Sequence, residues 1–371
     1  MTSFHQFVPT FDPGAVGSHI LEIRHVMREA GWESEIFSEH TKPPYDGMAH
    51  RYTDYGSSFA AGADDIVVYH AAIGSSVADW LMAEHRRKLV VDYHNITPPS
   101  WFDGWEPPLA YGLGWGRAQL RRLSRRCRFG LADSAFNASE LTRIGFRGTA
   151  VLPIFVPAEA LAGEPDPELL GRLRGRAGTR WVFVGRLAPN KRQHLLIAAL
   201  AAFRRAFDPA ATLSLVGGAS SPHYEDALRR YVADLDLTDA VHITGNVSDG
   251  ERNAYYATAD VFVCVSAHEG FLVPLLEAWH NRVPVVAVSA AAVPETLGDA
   301  GILLPRPDAT LVAAAVARVT GDPALGAALR DAGMRRLADF SPQRTRARLL
   351  ELAAGLASGE LDRPRAVPTL S

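Results

Sequence analysis

Five successive residues, Val261–Val265 (VFVCV), are apolar without alternation. A strand that is apolar on both sides must be covered on both faces, as in a parallel sheet layered between helices. Runs of this kind recur. In the first half they are Phe4–Val8, Glu33–Phe37, Asp65–His70, Leu89–His94, Phe129–Asp133 and Ala150–Pro153. In the second half they are Trp181–Val184, Thr212–Val216, Val241–Thr244, Val261–Val265, Pro284–Val288 and Gly301–Leu304. Helical period fills the gaps: Ile20, Ile23, Met27 and Ala30 recur every three or four positions. Strands separated by helices imply right-handed crossovers and parallel sheets.

A chain of 371 residues is long enough for two domains of about 150 residues each. The break falls in Val156–Thr179, which mixes Pro, Gly and charge before a strand begins afresh at Trp181. The expected organisation is α/β: a Rossmann-like domain over residues 1–155, a linker over 156–179, and a second Rossmann-like domain over 180–340. Helices are expected at Asp308–Val319, Pro323–Phe340 and Pro342–Gly355, with a loose tail closing the segment 341–371. Ligands of such sheets bind beyond the carboxyl ends of the strands.

Composition removes several classes of function. A net charge of -3 gives no reason to expect nucleic acid as a partner. The two cysteines, Cys127 and Cys264, can build neither a disulfide framework nor a thiolate zinc site, and Cys264 reads as a small core residue. The start, MTSFHQFVPTF, lacks a secretory pattern, and no run of about 18 apolar residues occurs, so a soluble cytoplasmic enzyme is expected. The basic stretch Arg117–Arg128 reads as a solvated face; peripheral membrane contact through Arg121, Arg122 and Arg125 is the lesser alternative. Asp234 and Asp236 spell a metal-binding DxD but follow a helical run, and neither HExxH nor G-x-G-x-x-G is present. No metal or cofactor is expected.

Charged and small residues gather at the strand ends. Beyond Val265 a loop carries Glu269, Gly270, Phe271 and Leu272, and Pro274 suits the first turn of a helix containing Glu277. Two carboxylates at one mouth would accept hydrogen bonds from a polyol, and the loop amides at a helix start would suit an anion. A carboxylate complementing the helix dipole accounts for Glu277 equally well. Arg186 ends one strand and Lys191 opens the next helix, where the dipole disfavours a cation. A diphosphate between them would resolve that conflict. Gly14 and Gly17 stand between the first strand and first helix, for a ligand or for a tight turn. His94 closes another strand, either as a satisfied structural histidine or facing a ligand.

These segments, VGRLAPNK and HEGFLVPLLEA followed by PVVAVSAAAVPETLGDAGIL, with support from DYHNITP and DSAFNASEL, resemble glycosyltransferase family 4, the retaining GT-B enzymes. The resemblance implies two Rossmann-like domains facing across a cleft, with Pro342–Gly355 crossing back onto the first. It implies that Glu269 contacts the donor hexose, Glu277 the ribose hydroxyls, and Arg186 and Lys191 the diphosphate. Gly17 would approach the phosphates, His94 would touch the donor sugar, and Asn246, Val247 and Asp249 would lie beside the base. Leu272 stands where glycine is commonest in the family. Asn281 replaces another usual glycine, and a left-handed helix cap is expected there.

The implied activity is metal-independent transfer of a hexosyl unit from UDP-hexose or GDP-mannose to a hydroxyl of a sugar, lipid-linked or small-molecule acceptor. Retention of configuration is expected, by front-face attack, since no covalent nucleophile stands out. A GT-B hydrolase or epimerase of nucleotide sugars and a non-catalytic sugar-nucleotide-binding subunit are the alternatives.

Overall fold

The computed structural model of the chain describes residues 3–83, 88–127, 129–157 and 161–361. Positions 158–160 of the expected linker, Arg128 of the basic stretch and the tail from 362 lie outside the described residues.

The chain divides into two compact units. Unit 1 comprises Met1–Ser100, Pro108–Pro157 and Phe340–Ser371; unit 2 comprises Trp101–Pro107 and Ala158–Asp339. The first part of the chain forms β1 (Phe4–Phe11), α1 (Ala15–Glu29), β2 (Ile36–Thr41), β3 (His50–Arg51), β4 (Ile66–Ala71), α2 (Ser76–Ala83), β5 (Lys88–Tyr93), α3 (Pro107–Leu123), β6 (Phe129–Ala132), α4 (Ala135–Ile144) and β7 (Thr149–Val151). Then come α5 (Pro167–Arg174), β8 (Arg180–Val184), α6 (Gln193–Ala206), β9 (Thr212–Val216), α7 (Pro222–Asp234), β10 (Val241–Ile243) and α8 (Asp249–Thr258). They are followed by β11 (Val261–Cys264), α9 (Val273–His280), β12 (Val285–Val288), α10 (Val293–Leu297), β13 (Ile302–Leu304), α11 (Ala309–Gly321), α12 (Pro323–Asp339) and α13 (Pro342–Ser358).

Both sheets are parallel throughout, in the orders β3-β2-β1-β4-β5-β6-β7 and β10-β9-β8-β11-β12-β13. Each is a Rossmann-like arrangement whose strand order reverses at one point, β1/β4 in unit 1 and β8/β11 in unit 2. The apolar run Val261–Val265 behaves as expected. Val261, Val263 and Val265 enter the main core of unit 2, while Phe262 and Cys264, on the opposite face, are equally inaccessible.

Helix α13 belongs to unit 1, the return that the resemblance implied. Leu349, Leu352, Ala353 and Leu356 join Phe4, Ile23, Val68 and Phe129 in one core cluster. Each fully buried leucine contributes about 1.5–3 kcal/mol, ample to hold a helix with no side-chain hydrogen bond at its N-cap.

The structure departs from expectation at several places. β2 starts at Ile36, not Glu33, and β3 is an additional short edge strand. Within the expected linker lies α5, capped by Asp166 accepting from the Leu169 amide at 2.7 Å. Its Leu169 and Leu173, spaced i,i+4, pack on Ala254 of α8. Residues 101–107, expected in the first domain, group with unit 2. Ser221 donates to the Trp105 carbonyl at 3.0 Å, and the Trp105 ring packs edge-on against Tyr224. Asn281 is not left-handed, with φ -82°; Arg282 takes that conformation at φ 55°. The Arg282 amide donates to Trp279 and the Val283 amide to Ala278, at 2.9 and 2.8 Å. That pair of bonds closes a Schellman motif one residue later than expected. Asp234 and Asp236 lie exposed at the end of α7, as a solvated helix end should. Arg121, Arg122 and Arg125 are exposed on or just beyond α3, while Leu120 and Leu123 face the core. No single helix among the described residues is long and apolar enough to cross a membrane.

Candidate active site

In unit 2 the loops beyond β8 and β11 adjoin at the point where strand order reverses, the position where such sheets bind ligands. Asn190 ties them together. Its carbonyl accepts from the Ala267 amide at 2.7 Å, and its side chain donates to the His268 carbonyl at 3.4 Å. Lys191, on the 3-10 turn Pro189–Lys191 ahead of α6, reaches across to Glu269 and places Nζ 2.7 Å from Oε1 and 2.6 Å from Oε2. The sequence put Lys191 at the helix start; it sits one short turn earlier. Arg192, at φ 54°, forms the N-cap of α6. The Lys191 and Glu269 side chains are 21% and 7% exposed, so the pair is largely shielded yet open on one side.

Arg186 lines a cavity of about 360 Å³ with Gly185, Gly217, Asn246, Val247 and Arg252. No carboxylate is paired with it among the described residues. The floor of the cavity is backbone. A Cβ on Gly217, whose φ is +135°, would fall 2.4 Å from the Gly185 carbonyl oxygen, so only glycine allows the two strand ends to approach this closely.

Gly270, Phe271 and Leu272 lead from Glu269 into α9, with Pro274 in its first turn as expected. Leu272 is left-handed at φ 74° and its side chain is buried. The position where the family favours glycine is therefore one that demands a conformation glycine adopts most readily. Glu277 lies one turn further on. Its Oε2 accepts from the Tyr256 hydroxyl at 2.8 Å, and its Oε1 is 3.5 Å from Nε of Arg252. Burial pushes the Glu277 carboxyl up, opposed by Arg252 and by the tyrosine hydrogen bond. This oriented carboxylate exceeds what a dipole-complementing residue requires. Val247 lines the cavity, and Asp249 opens α8, paired with Arg252 at 2.8 Å.

The two remaining candidates belong to unit 1. Gly17 lies in the first turn of α1, and a Cβ there would meet the Asp12 carbonyl oxygen at 2.0 Å. A tight turn therefore requires this glycine. His94 follows β5 as expected, but its side chain turns inward and is 1% exposed. Its Nε2 is 2.8 Å from Nδ1 of His70 and its Nδ1 is 2.9 Å from Oδ1 of Asp133, so both nitrogens are engaged inside the unit.

Arg252, Tyr256 and Asn190 went unnoticed in the sequence. The first two are spaced i,i+4 directly after the loop GNVSDGE and so share a helix face; that spacing could have found them. Asn190 acts mainly through its backbone carbonyl, which no sequence pattern marks.

Taken together, unit 2 presents a cavity lined by Arg186, Arg252 and glycine backbone, the Lys191–Glu269 pair joining the loops beyond β8 and β11 and the oriented Glu277, groups suited to an anionic ligand bearing hydroxyls. Residues 178–322 match the family model described as glycosyl transferases group 1. The chain is 34% identical over 310 residues to the GDP-mannose-dependent alpha-(1-6)-phosphatidylinositol monomannoside mannosyltransferase of Mycolicibacterium smegmatis, covering 73% of this chain and 79% of that one. It is 28% identical over 351 residues to the phosphatidyl-myo-inositol mannosyltransferase of the same organism, covering 86% and 84%. Among solved structures it resembles sucrose-phosphate synthase from Thermosynechococcus elongatus, with TM-score 0.77, 18% identity, and coverage of 96% of this chain and 100% of that one. With both sheets and the unit 2 cavity in place, these likenesses make the chain a glycosyltransferase of GT-B fold, a member of the group 1 (family 4) glycosyltransferases.

Proposed function

We propose that the chain transfers a mannosyl unit from GDP-mannose to a hydroxyl of a sugar- or inositol-containing acceptor, with retention and without a metal ion. The observation that carries this reading is the Lys191–Glu269 pair at 2.6 Å at the switch point of unit 2, with Arg186, in the same loop beyond β8, lining a cavity and paired with no carboxylate among the described residues. GDP-mannose is favoured over UDP-hexose because the relative at 34% identity is named for it.

In this reading Arg186 and Lys191 receive the charge that develops on the departing diphosphate. They do so as preorganised donors, which are worth more in a shielded site than in water. Glu269 holds Lys191 in place and offers its remaining acceptor capacity to the hexose. Glu277, aimed by Tyr256 and Arg252, accepts from the ribose hydroxyls. The leaving phosphate takes the acceptor proton as the new bond forms on the same face. His94, buried at both nitrogens, positions the end of β5 rather than touching the sugar.

Thermal melting with GDP, UDP, TDP and ADP, with and without EDTA, tests the reading on wild type and Arg186→Ala. The expected result is stabilisation by GDP that survives EDTA and is lost in the variant. Product analysis with GDP-α-mannose should then give an α-linked mannoside. Stabilisation by UDP alone would replace the donor, a requirement for divalent metal would remove the electrostatic mechanism, and a β-linked product would remove retention.

A further inference from the structure

A row of polar side chains crosses four neighbouring strands of unit 1. Gln6 stands on β1, His70 on β4, His94 directly after β5 and Asp133 directly after β6, and these strands are adjacent in that order. The spacings are 3.0 Å from Gln6 Oε1 to His70 Nε2, 2.8 Å from His70 Nδ1 to His94 Nε2, and 2.9 Å from His94 Nδ1 to Asp133 Oδ1. All four residues are buried.

The direction of each hydrogen bond follows from one end. The Ile20 carbonyl can only accept, so Gln6 turns Nε2 towards it at 3.0 Å and leaves Oε1 facing His70. His70 must then carry its proton on Nε2, and a neutral ring has only one N–H. Its Nδ1 is therefore a lone pair, which takes the Nε2–H of His94. The other nitrogen of His94 meets a carboxylate. A second chain is ordered in the same way. The Phe155 amide donates to Nδ1 of His19 at 3.0 Å, so His19 keeps its proton on Nε2 and donates to Asp92 Oδ2 at 3.2 Å.

We infer that His94 is held as an imidazolium at neutral pH, a positioning residue whose charge pins the end of β5 between β4 and β6 and fixes the Asn95–Ser100 connection that follows. Imidazole is in water a stronger base than a carboxylate by about 2.6 pKa units; burial raises the Asp133 carboxyl and so narrows that margin, while Asp133 and Asp92 flank the ring on its two sides and place the shared proton there. Asp92 lies 3.8 Å from the other nitrogen and favours the cation further. Burial opposes the charge, yet Asp133 and Asp92 carry His94 up to about 9. Burial pushes His70 well below its ordinary value and keeps it neutral. The connection has reason to need a fixed anchor: Asn95 is left-handed at φ 67°, and its side chain donates to Asn137 at 2.8 Å.

The same cluster has the spacing of a metal site, with ligand atoms of His19, Asp92 and His94 within 4.8 Å of one another. A metal would need lone pairs on Nε2 of both histidines. Each of those nitrogens already bears a proton, donated to Asp92 and to His70.

Two-bond proton–nitrogen NMR of the full chain labelled with 15N-histidine, from pH 6 to 10, reads each ring directly. The expected wild-type spectrum contains one buried ring with both nitrogens protonated through pH 8 and titrating near 9. The His70 ring should remain an Nε2–H tautomer throughout. In Asp133→Asn the charged pattern should be gone by pH 7.5. Exchange of the Asn95–Ser100 amides at that pH should rise about tenfold, through local opening. The wild-type spectrum decides the matter even if that variant does not fold. A neutral His94 ring at pH 7.5 in wild type overturns the inference, as does a shift of all three rings on adding one equivalent of Zn²⁺. Amide exchange unchanged in a folded Asp133→Asn overturns the positioning role.

Discussion

The two sheets share one architecture but finish their strand ends differently. In unit 1 the polar side chains of Gln6, His19, His70, His94, Asp92 and Asp133 are buried and hydrogen-bonded to one another or to backbone, with Asp92 Oδ1 left without a partner among the described residues. In unit 2 Arg186 lines an open cavity with no carboxylate partner among the described residues, while Lys191, in the same loop, is held by Glu269. Buried polar networks raise the cost of any rearrangement, because a broken member is left without water or partner. Charges beside a cavity keep interaction energy in reserve for what arrives there. The comparison separates a sheet whose polar residues secure its own backbone from one whose polar residues serve a ligand.

Four outcomes would sharpen or break this contrast. The largest is expected in unit 2. Glu269→Gln should lower the transfer rate by about 10²–10³-fold, the range for loss of one preorganised electrostatic contact, with little change in the melting temperature of the free protein. A variant retaining more than about a tenth of the wild-type rate would place the chemistry elsewhere. Gly17→Ala should act on unit 1 as a fold defect. Its Cβ meets the Asp12 carbonyl oxygen at 2.0 Å, and overpacking of this kind costs about 1–3 kcal/mol, readable as a lower urea midpoint. Unchanged stability would show that the turn opens freely. Tyr256→Phe removes the 2.8 Å hydrogen bond to Glu277. It should weaken nucleotide binding by about 1 kcal/mol in calorimetry while leaving the unfolding midpoint nearly intact. Equal losses in both would reassign Glu277 to structure.

The fourth outcome is a pH dependence confined to unit 1. His94, raised to about 9 in the fold, contributes stability that is fully present below its unfolded value and is lost as pH climbs through 9. His70 is lowered by burial, so its contribution works in the opposite sense. It costs stability as pH falls below the unfolded histidine value of about 6.5. Melting temperature should therefore be highest near pH 6.5, falling on the acid side as His70 opposes charging and falling between about 6.5 and 9 as the His94 contribution drains away; His94→Gln should flatten the alkaline limb alone. An alkaline limb that survives in His94→Gln would assign the loss to another group.

Much of this molecule was legible in its sequence. VFVCV announced a strand buried on both faces, and Glu269, Glu277, Arg186 and Lys191 could be placed at strand ends because charge beside a buried strand needs a reason. The less legible parts were those fixed by tertiary contact. Pro167–Arg174 looked like linker because only Leu169 and Leu173 are apolar on its buried face, and their partner Ala254 lies far along the chain. Asn281 was expected to be left-handed, but its side chain bonds the Glu277 carbonyl at 2.9 Å and the reversal passes to Arg282. His94 could be located along the chain but not oriented. Its direction depends on His70 and Asp133, which come from two other strands.

The glycine floor at Gly185 and Gly217 bears on how such a cavity can change over evolutionary time. A side chain at 217 runs into the backbone oxygen of Gly185 at 2.4 Å, and backbone cannot be traded for something smaller. No single substitution there can be rescued by a second one opposite, so the floor is closed to stepwise drift. The rim is not: Asn246 and Val247 also line the cavity, and neither is a glycine that the opposing backbone requires. Lineages descending from this chain can alter what the cavity accepts only from its edge inward.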